Sequence, residues 1–160
     1  MPTRRTKLDK IDRKILKTLQ SDGRITNVDL AQKVGISAPP CLRRMRMLEE
    51  SGYIKSYHAR LDPQALGYGV TVIAMVKLNS QAEADLVKFE KRIKELDVIR
   101  ECQIVAGEVD FILKIVAKDW DGYQNFLRNE LTSMQNVTSV KSLLTMRATK
   151  DEPGVPIDEQ

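Results

Sequence analysis

Only Gly35-Ile36-Ser37 separates two helical patterns, and that short connection constrains the fold more than any other feature of the chain. A link this tight does not let two helices lie antiparallel; it fits a helix-turn-helix. The punctuation around it agrees. Thr26, with Asp29 behind it, caps a helix carrying Leu30 and Val34 that Gly35 ends. Ser37 caps the next, with Pro39 and Pro40 in its first turn, where a missing N–H does no harm, and Gly52 ends it. Upstream, Asp9 caps a helix whose Ile11, Ile15, Leu16 and Leu19 recur at helical spacing, with Gly23 beyond its end.

The pattern turns strand-like over Tyr53–Leu61, and Asp62-Pro63 followed by Gly67 and Gly69 breaks it. Beyond lie a β-branched strand at 70–78, an amphipathic helix at 82–96, strands at 98–105 and 111–117 around the turn Ala106-Gly107-Glu108-Val109, a helix at 120–133 and a strand at 137–147. The order β-α-β-β-α-β predicts a ferredoxin-like unit, an antiparallel sheet with both helices on one face. The expected class is α+β: a winged helix-turn-helix with its linker strand over residues 1–62, a ferredoxin-like domain over 63–150, and a mobile tail at 151–160, where Pro153, Gly154 and Pro156 interrupt any periodicity.

Charge separates the two halves. Residues 1–62 carry 14 Lys and Arg against 7 Asp and Glu, whereas residues 63–160 carry 12 against 15. A basic first half points that part towards a polyanion. On the third helix, at about 100° per residue, Cys41, Leu42, Met45 and Leu48 gather on one side. Pro40, Arg43 and Met47 centre on the other, flanked by Pro39, Arg44 and Arg46. Guanidinium groups so placed can bridge guanine edges or clamp phosphates in a major groove. Ser37 and the helix N-terminus add amides for a phosphate, and Arg24 flanks them. A solvated charged face is the plainer alternative. Cys41 reads as a small buried hydrophobe, and Cys41 and Cys102 have no zinc spacing. The single histidine, His58, has no catalytic partners, so neither a metal nor a cofactor is expected. No apolar run is long enough for a membrane and Met1–Lys7 lack the apolar stretch of an export signal; a cytoplasmic, nucleoid-associated location is expected.

Leu8–Leu16, Asp22-Gly23-Arg24-Ile25-Thr26, Val34-Gly35-Ile36-Ser37, Pro40–Arg44, Leu48–Ile54 and Glu101–Phe111, in this order and spacing, resemble the leucine-responsive/asparagine regulator (Lrp/AsnC, or feast/famine) family of bacterial transcription regulators. The resemblance spans nearly the whole chain. It implies binding to double-stranded DNA, homodimers formed through the sheet, and assembly of dimers into tetramers, octamers or larger rings. It also implies a small amino-acid ligand held between dimers and control of amino-acid metabolism or transport genes.

The effector pocket would carry over at Gly107-x-x-Asp110. A zwitterion needs N–H donors for its carboxylate and an acceptor for its ammonium. A turn at Ala106-Gly107 brings backbone donors close, and Asp110 supplies or organises negative charge; equally, Gly107 serves only the turn and Asp110 only closes the hairpin. Ile104, Trp120, Thr132 and Leu144 are the further wall candidates, which core or subunit packing would explain as well. Two other functions share this plan: an architectural DNA-binding protein without effector, and a tetrapyrrole-modifying enzyme. The enzyme would need histidine and arginine around a pocket in the second domain, where no histidine occurs.

Overall fold

The computed structural model describes residues 7–158, so most of the opening segment weighed above as an export signal, and the last two residues of the tail, lie outside the described residues. The described residues form two compact units, residues 7–60 with 150–158, and residues 61–149.

The first unit holds α1 (Lys10–Ser21), α2 (Asn27–Val34) and α3 (Ala38–Glu50) around a core of Ile15, Leu30, Ala31, Val34, Cys41 and Leu48. Each large apolar side chain buried here contributes about 1.5–3 kcal/mol. Asp9 and Asp12 form a reciprocal capping box on α1, and Thr26 accepts from the Asp29 amide at the start of α2. Gly35 sits at φ 79°, where a side chain would be strained, and lets the Ile36 amide turn back to the Ala31 carbonyl at 3.0 Å. Asn27 then reaches across the turn, donating to the Ala38 carbonyl at 3.0 Å. Ser37 stands at the N-cap of α3, but its side chain makes no cap bond. The reason is chemical: a capping oxygen accepts from the second or third helical amide, and those positions are Pro39 and Pro40.

Two expectations for this unit change. Residues 53–61 form no strand; Tyr53 and Ile54 instead fold back so that both amides donate to the Leu48 carbonyl, at 2.9 and 3.2 Å. An extended segment becomes a strand only beside a partner, and none of the described residues pairs with it. The tail expected to stand free belongs to this unit. Its Val155 exchanges two hydrogen bonds of 2.9 Å with the Gln20 amide of α1, Asp151 pairs with Arg60, and the Asp158 carbonyl accepts from Arg13 at 3.3 Å. Backbone groups do most of this bonding, so side-chain periodicity carried no sign of it.

The second unit is a four-stranded antiparallel sheet in the order β2-β3-β1-β4, from β1 (Val70–Leu78), β2 (Ile99–Ile104), β3 (Phe111–Ala117) and β4 (Val137–Leu144). On one face Val72, Ala74, Val76 and Leu78 of β1, with Phe111, Leu113, Ile115 and Ala117 of β3, pack with Phe89 and Ile93 of α4 (Glu83–Lys94) and Tyr123 of α5 (Trp120–Phe126). This is the expected ferredoxin-like order. The other face carries Ile73, Met75, Ile112, Val116 and Leu143, none of them buried, and no helix of this unit covers it. The helix expected through residue 133 changes at Leu127 into a π-helical turn, Leu127–Leu131, closed by the Thr132 amide on the Leu127 carbonyl at 2.9 Å.

Candidate DNA interface and ligand-binding turn

Of the side chains assigned to the outer surface of α3, Pro39, Arg43 and Arg46 are exposed. Pro40 and Met47 are half-buried, and Met47 packs against the core; Leu42, assigned to the apolar side, is 38% exposed. The helix is therefore turned relative to the expected wheel, with Cys41 and Leu48 innermost and Pro39, Arg43 and Arg46 outermost. Arg44 does not point free into solvent. Its Nη1 donates to Asp9 Oδ2 and Asp12 Oδ1, both at 2.7 Å. The anion site expected at the helix N-terminus is also reduced, because Pro39 and Pro40 remove two of its first-turn amides and the Cys41 amide already donates to Ser37. Arg24 is exposed and, with Asp22, Asp29, Gln32 and Lys33, lines an open hollow of about 570 Å³.

At the hairpin between β2 and β3, Ile104, Ala106 and Gly107 are exposed, and a Cβ built on Gly107 meets nothing. Asp110, by contrast, is 6% exposed, and both its oxygens are occupied. Oδ2 accepts from the Leu78 amide at 2.7 Å and Oδ1 from Gln81 Nε2 at 2.8 Å. Its own amide donates to the Val76 carbonyl, and its carbonyl accepts from the Val105 amide. Asp110 thus ties the turn to the end of β1. Thr132 donates to the Leu127 carbonyl, and the chain after it meets the same end of the sheet where the Asn79 amide donates to Asn136. Trp120 and Leu144 lie at the other end: Leu144 pairs with Val72 near the start of β1, and Trp120 comes shortly after Ala117, the end of β3, which pairs with Val70. One copy of this unit does not bring all seven candidates together. Trp120 helps line a separate shallow hollow of about 370 Å³ with Tyr123, Leu127, Arg128 and Ser142.

Cys41 is buried and Cys102 exposed, both as free thiols, and burial pushes the Cys41 thiol above its ordinary value. No cluster of His, Cys, Asp and Glu suited to a metal occurs among the described residues, and His58 is exposed. Residue spacing did not reveal the Arg44 ion pairs or the rotation of α3. The only available sign was Asp9-x-x-Asp12, a capping spacing that places two carboxylates together.

Residues 8–55 match the model of the winged helix-turn-helix DNA-binding family, and residues 71–155 that of the Lrp/AsnC ligand binding domain. The chain belongs to the Lrp/AsnC family. It is 50% identical to a leucine-responsive regulatory protein of Rhizobium meliloti, over 96% of this chain and 98% of that protein. It is 41% identical to the Bkd operon transcriptional regulator of Pseudomonas aeruginosa, over 94% and 98%. In structure it is similar to a Neisseria meningitidis transcriptional regulator solved as a complex with L-methionine, with TM-score 0.91 and 30% identity over 95% of this chain and 98% of that one. Like other Lrp/AsnC members, it is a DNA-binding transcription regulator that joins a helix-turn-helix to a ligand-binding domain. No helix of the described residues is long and apolar enough to cross a membrane.

Proposed function

We propose that this Lrp/AsnC regulator reads DNA with the outer face of α3 and answers to an amino acid held where its copies meet. The observation that carries the reading is the exposure of Arg43 and Arg46 on a helix fixed by the tight turn at Gly35. With Arg44 committed to α1, these two guanidinium groups are the ones on α3 free to meet bases or phosphates, with Pro39 beside them and Arg24 flanking. The uncovered face bearing Ile73, Met75, Ile112 and Val116 is the surface on which a second copy docks. The exposed turn at Ala106-Gly107 offers backbone donors to a ligand carboxylate, and Asp110 organises that turn. Trp120 and Leu144, at the other end of the sheet, join the pocket only if another copy supplies them. The chain acts in the cytoplasm, associated with the nucleoid, on genes of amino-acid metabolism or transport, and it performs no catalysis.

The test combines a gel-shift series with sedimentation. On DNA selected from a random pool by the wild-type protein, Arg43→Ala is expected to weaken binding by about 1–3 kcal/mol if it reads a base. Arg46→Ala is expected to weaken binding on every sequence if it meets a phosphate. At least one amino acid is expected to shift sedimentation or DNA affinity by a coupling of about 1–3 kcal/mol. Unchanged affinity in both variants removes α3 from the interface. If no amino acid shifts either quantity, an architectural role without effector replaces the sensing role.

A further inference from the structure

Three charged side chains at the root of the helix-turn-helix form a closed network. The capping box on α1 uses one oxygen of each carboxylate: the Asp12 amide donates to Asp9 Oδ1 at 2.8 Å, and the Asp9 amide donates to Asp12 Oδ2 at 3.1 Å. The remaining oxygen of each carboxylate, Asp9 Oδ2 and Asp12 Oδ1, accepts from Arg44 Nη1 at 2.7 Å. The Asp12 side chain is 5% exposed and that of Arg44 29%, so the bond between them is shielded from water. The Asp12 amide chiefly, with the Arg44 guanidinium adding to it against the opposing effect of burial, holds the Asp9 carboxyl below its ordinary value. The same carboxylates hold the Arg44 guanidinium more firmly protonated.

We propose that Arg44 is a positioning residue for DNA recognition: it does not touch DNA, but pins the reading helix α3 to the capped start of α1 and so sets the angle at which Arg43 and Arg46 are presented. The geometry favours this over a phosphate contact. A guanidinium already held by two carboxylates must abandon a nearly buried acid to reach DNA, which leaves that acid unpaired. Arg44 lies on the same side of α3 as Cys41 and Leu48, both fully buried, whereas Arg43 and Arg46 lie on the opposite side. The turn at Gly35 fixes where α3 begins, and the charge-assisted pair of bonds from Arg44 to α1 adds a second fixed point along it.

This inference rests on α3 being the reader, and the test separates the two ideas. The variants are Asp9→Asn, Asp12→Asn and Arg44→Lys in the full-length protein. Asparagine caps a helix about as well as aspartate, so Asp9→Asn keeps the start of α1 while removing its own ion pair with Arg44, and Asp12→Asn removes the more buried one. Affinity is measured on the selected DNA and on a scrambled duplex across a salt series, with melting of each variant checked first. If Arg44 positions α3, Asp9→Asn and Asp12→Asn lower the ratio of selected to scrambled affinity by about tenfold, the scale of one lost base contact. Arg44→Lys then lowers the same ratio and leaves the salt slope unchanged. If Arg44 instead clamps a phosphate, freeing it from its acids raises affinity on both duplexes with the ratio intact. In that case Arg44→Met lowers the salt slope by about 0.9. That second set of results overturns the proposal, as does an unchanged ratio in all three variants while Arg43→Ala still impairs binding. Loss of effect in Arg43→Ala and Arg46→Ala overturns the reader itself.

Discussion

Replacing Asp110 by alanine tests whether this carboxylate is a structural tie of the ligand-binding domain. Its two oxygens accept at 2.7 Å from the Leu78 amide and at 2.8 Å from Gln81. Gln81 is exposed, so water can replace the carboxylate there. Leu78 is 4% exposed, and its amide would lose its partner in a place water does not reach. A hydrogen bond to a charged group contributes about 1.5–3 kcal/mol, and an orphaned buried donor adds a penalty of similar size. Some of this is offset because a desolvated charge is removed with it, which leaves an expected loss of about 2–3 kcal/mol. Trp120, the only tryptophan, lies in this domain, so its fluorescence during urea unfolding follows the ligand-binding unit and not the helix-turn-helix. With an m-value of about 1 kcal/mol/M for a domain of this size, the midpoint should fall by about 2–3 M. Asp110→Asn keeps an oxygen for the Leu78 amide and should fall by less than half as much. A midpoint within about 0.5 M of wild type for Asp110→Ala would refute the structural reading and return Asp110 to the role of ligand acceptor.

Thr26→Ala should destabilise the helix-turn-helix unit by about 1 kcal/mol, whereas Ser37→Ala should change it by only a few tenths, because prolines follow Ser37 where amides would need capping; calorimetric melting of the two variants decides it. Gly154→Ala should release the tail from α1, since the added Cβ would collide with the Gln20 side chain that bonds Val155, at a backbone φ of 74° that favours glycine. Limited proteolysis should then cut within residues 150–158 faster than in wild type, and unchanged protection would mean the tail is held by other contacts.

The local punctuation of this chain was legible from the residues alone, because caps, stops and turns are decided by neighbours in sequence. Asp9, Thr26 and Gly35 did what their chemistry predicts, and the β-branched run at 70–78 and the apolar run at 111–117 are the strands they were read as. The α+β class and the order of the second domain followed from the succession of strand-like and helical segments and from Gly107 in its turn. What the sequence could not decide were pairings between groups far apart along the chain. The helical wheel set Arg44 beside the outer face of α3, whereas it meets Asp12 of α1, a partner 32 residues away that no periodicity contains. For Asp110 the sequence left a ligand role and a hairpin-closing role side by side, because its partners, Leu78 and Gln81, lie on another strand and its loop. The Tyr53–Leu61 segment kept the composition of a strand but found no neighbour to pair with, and the tail found α1 through backbone atoms that carry no sequence signal. A side chain's own tendencies are written in its identity, but which buried charge it meets depends on where the rest of the chain folds, and only tertiary structure decides that.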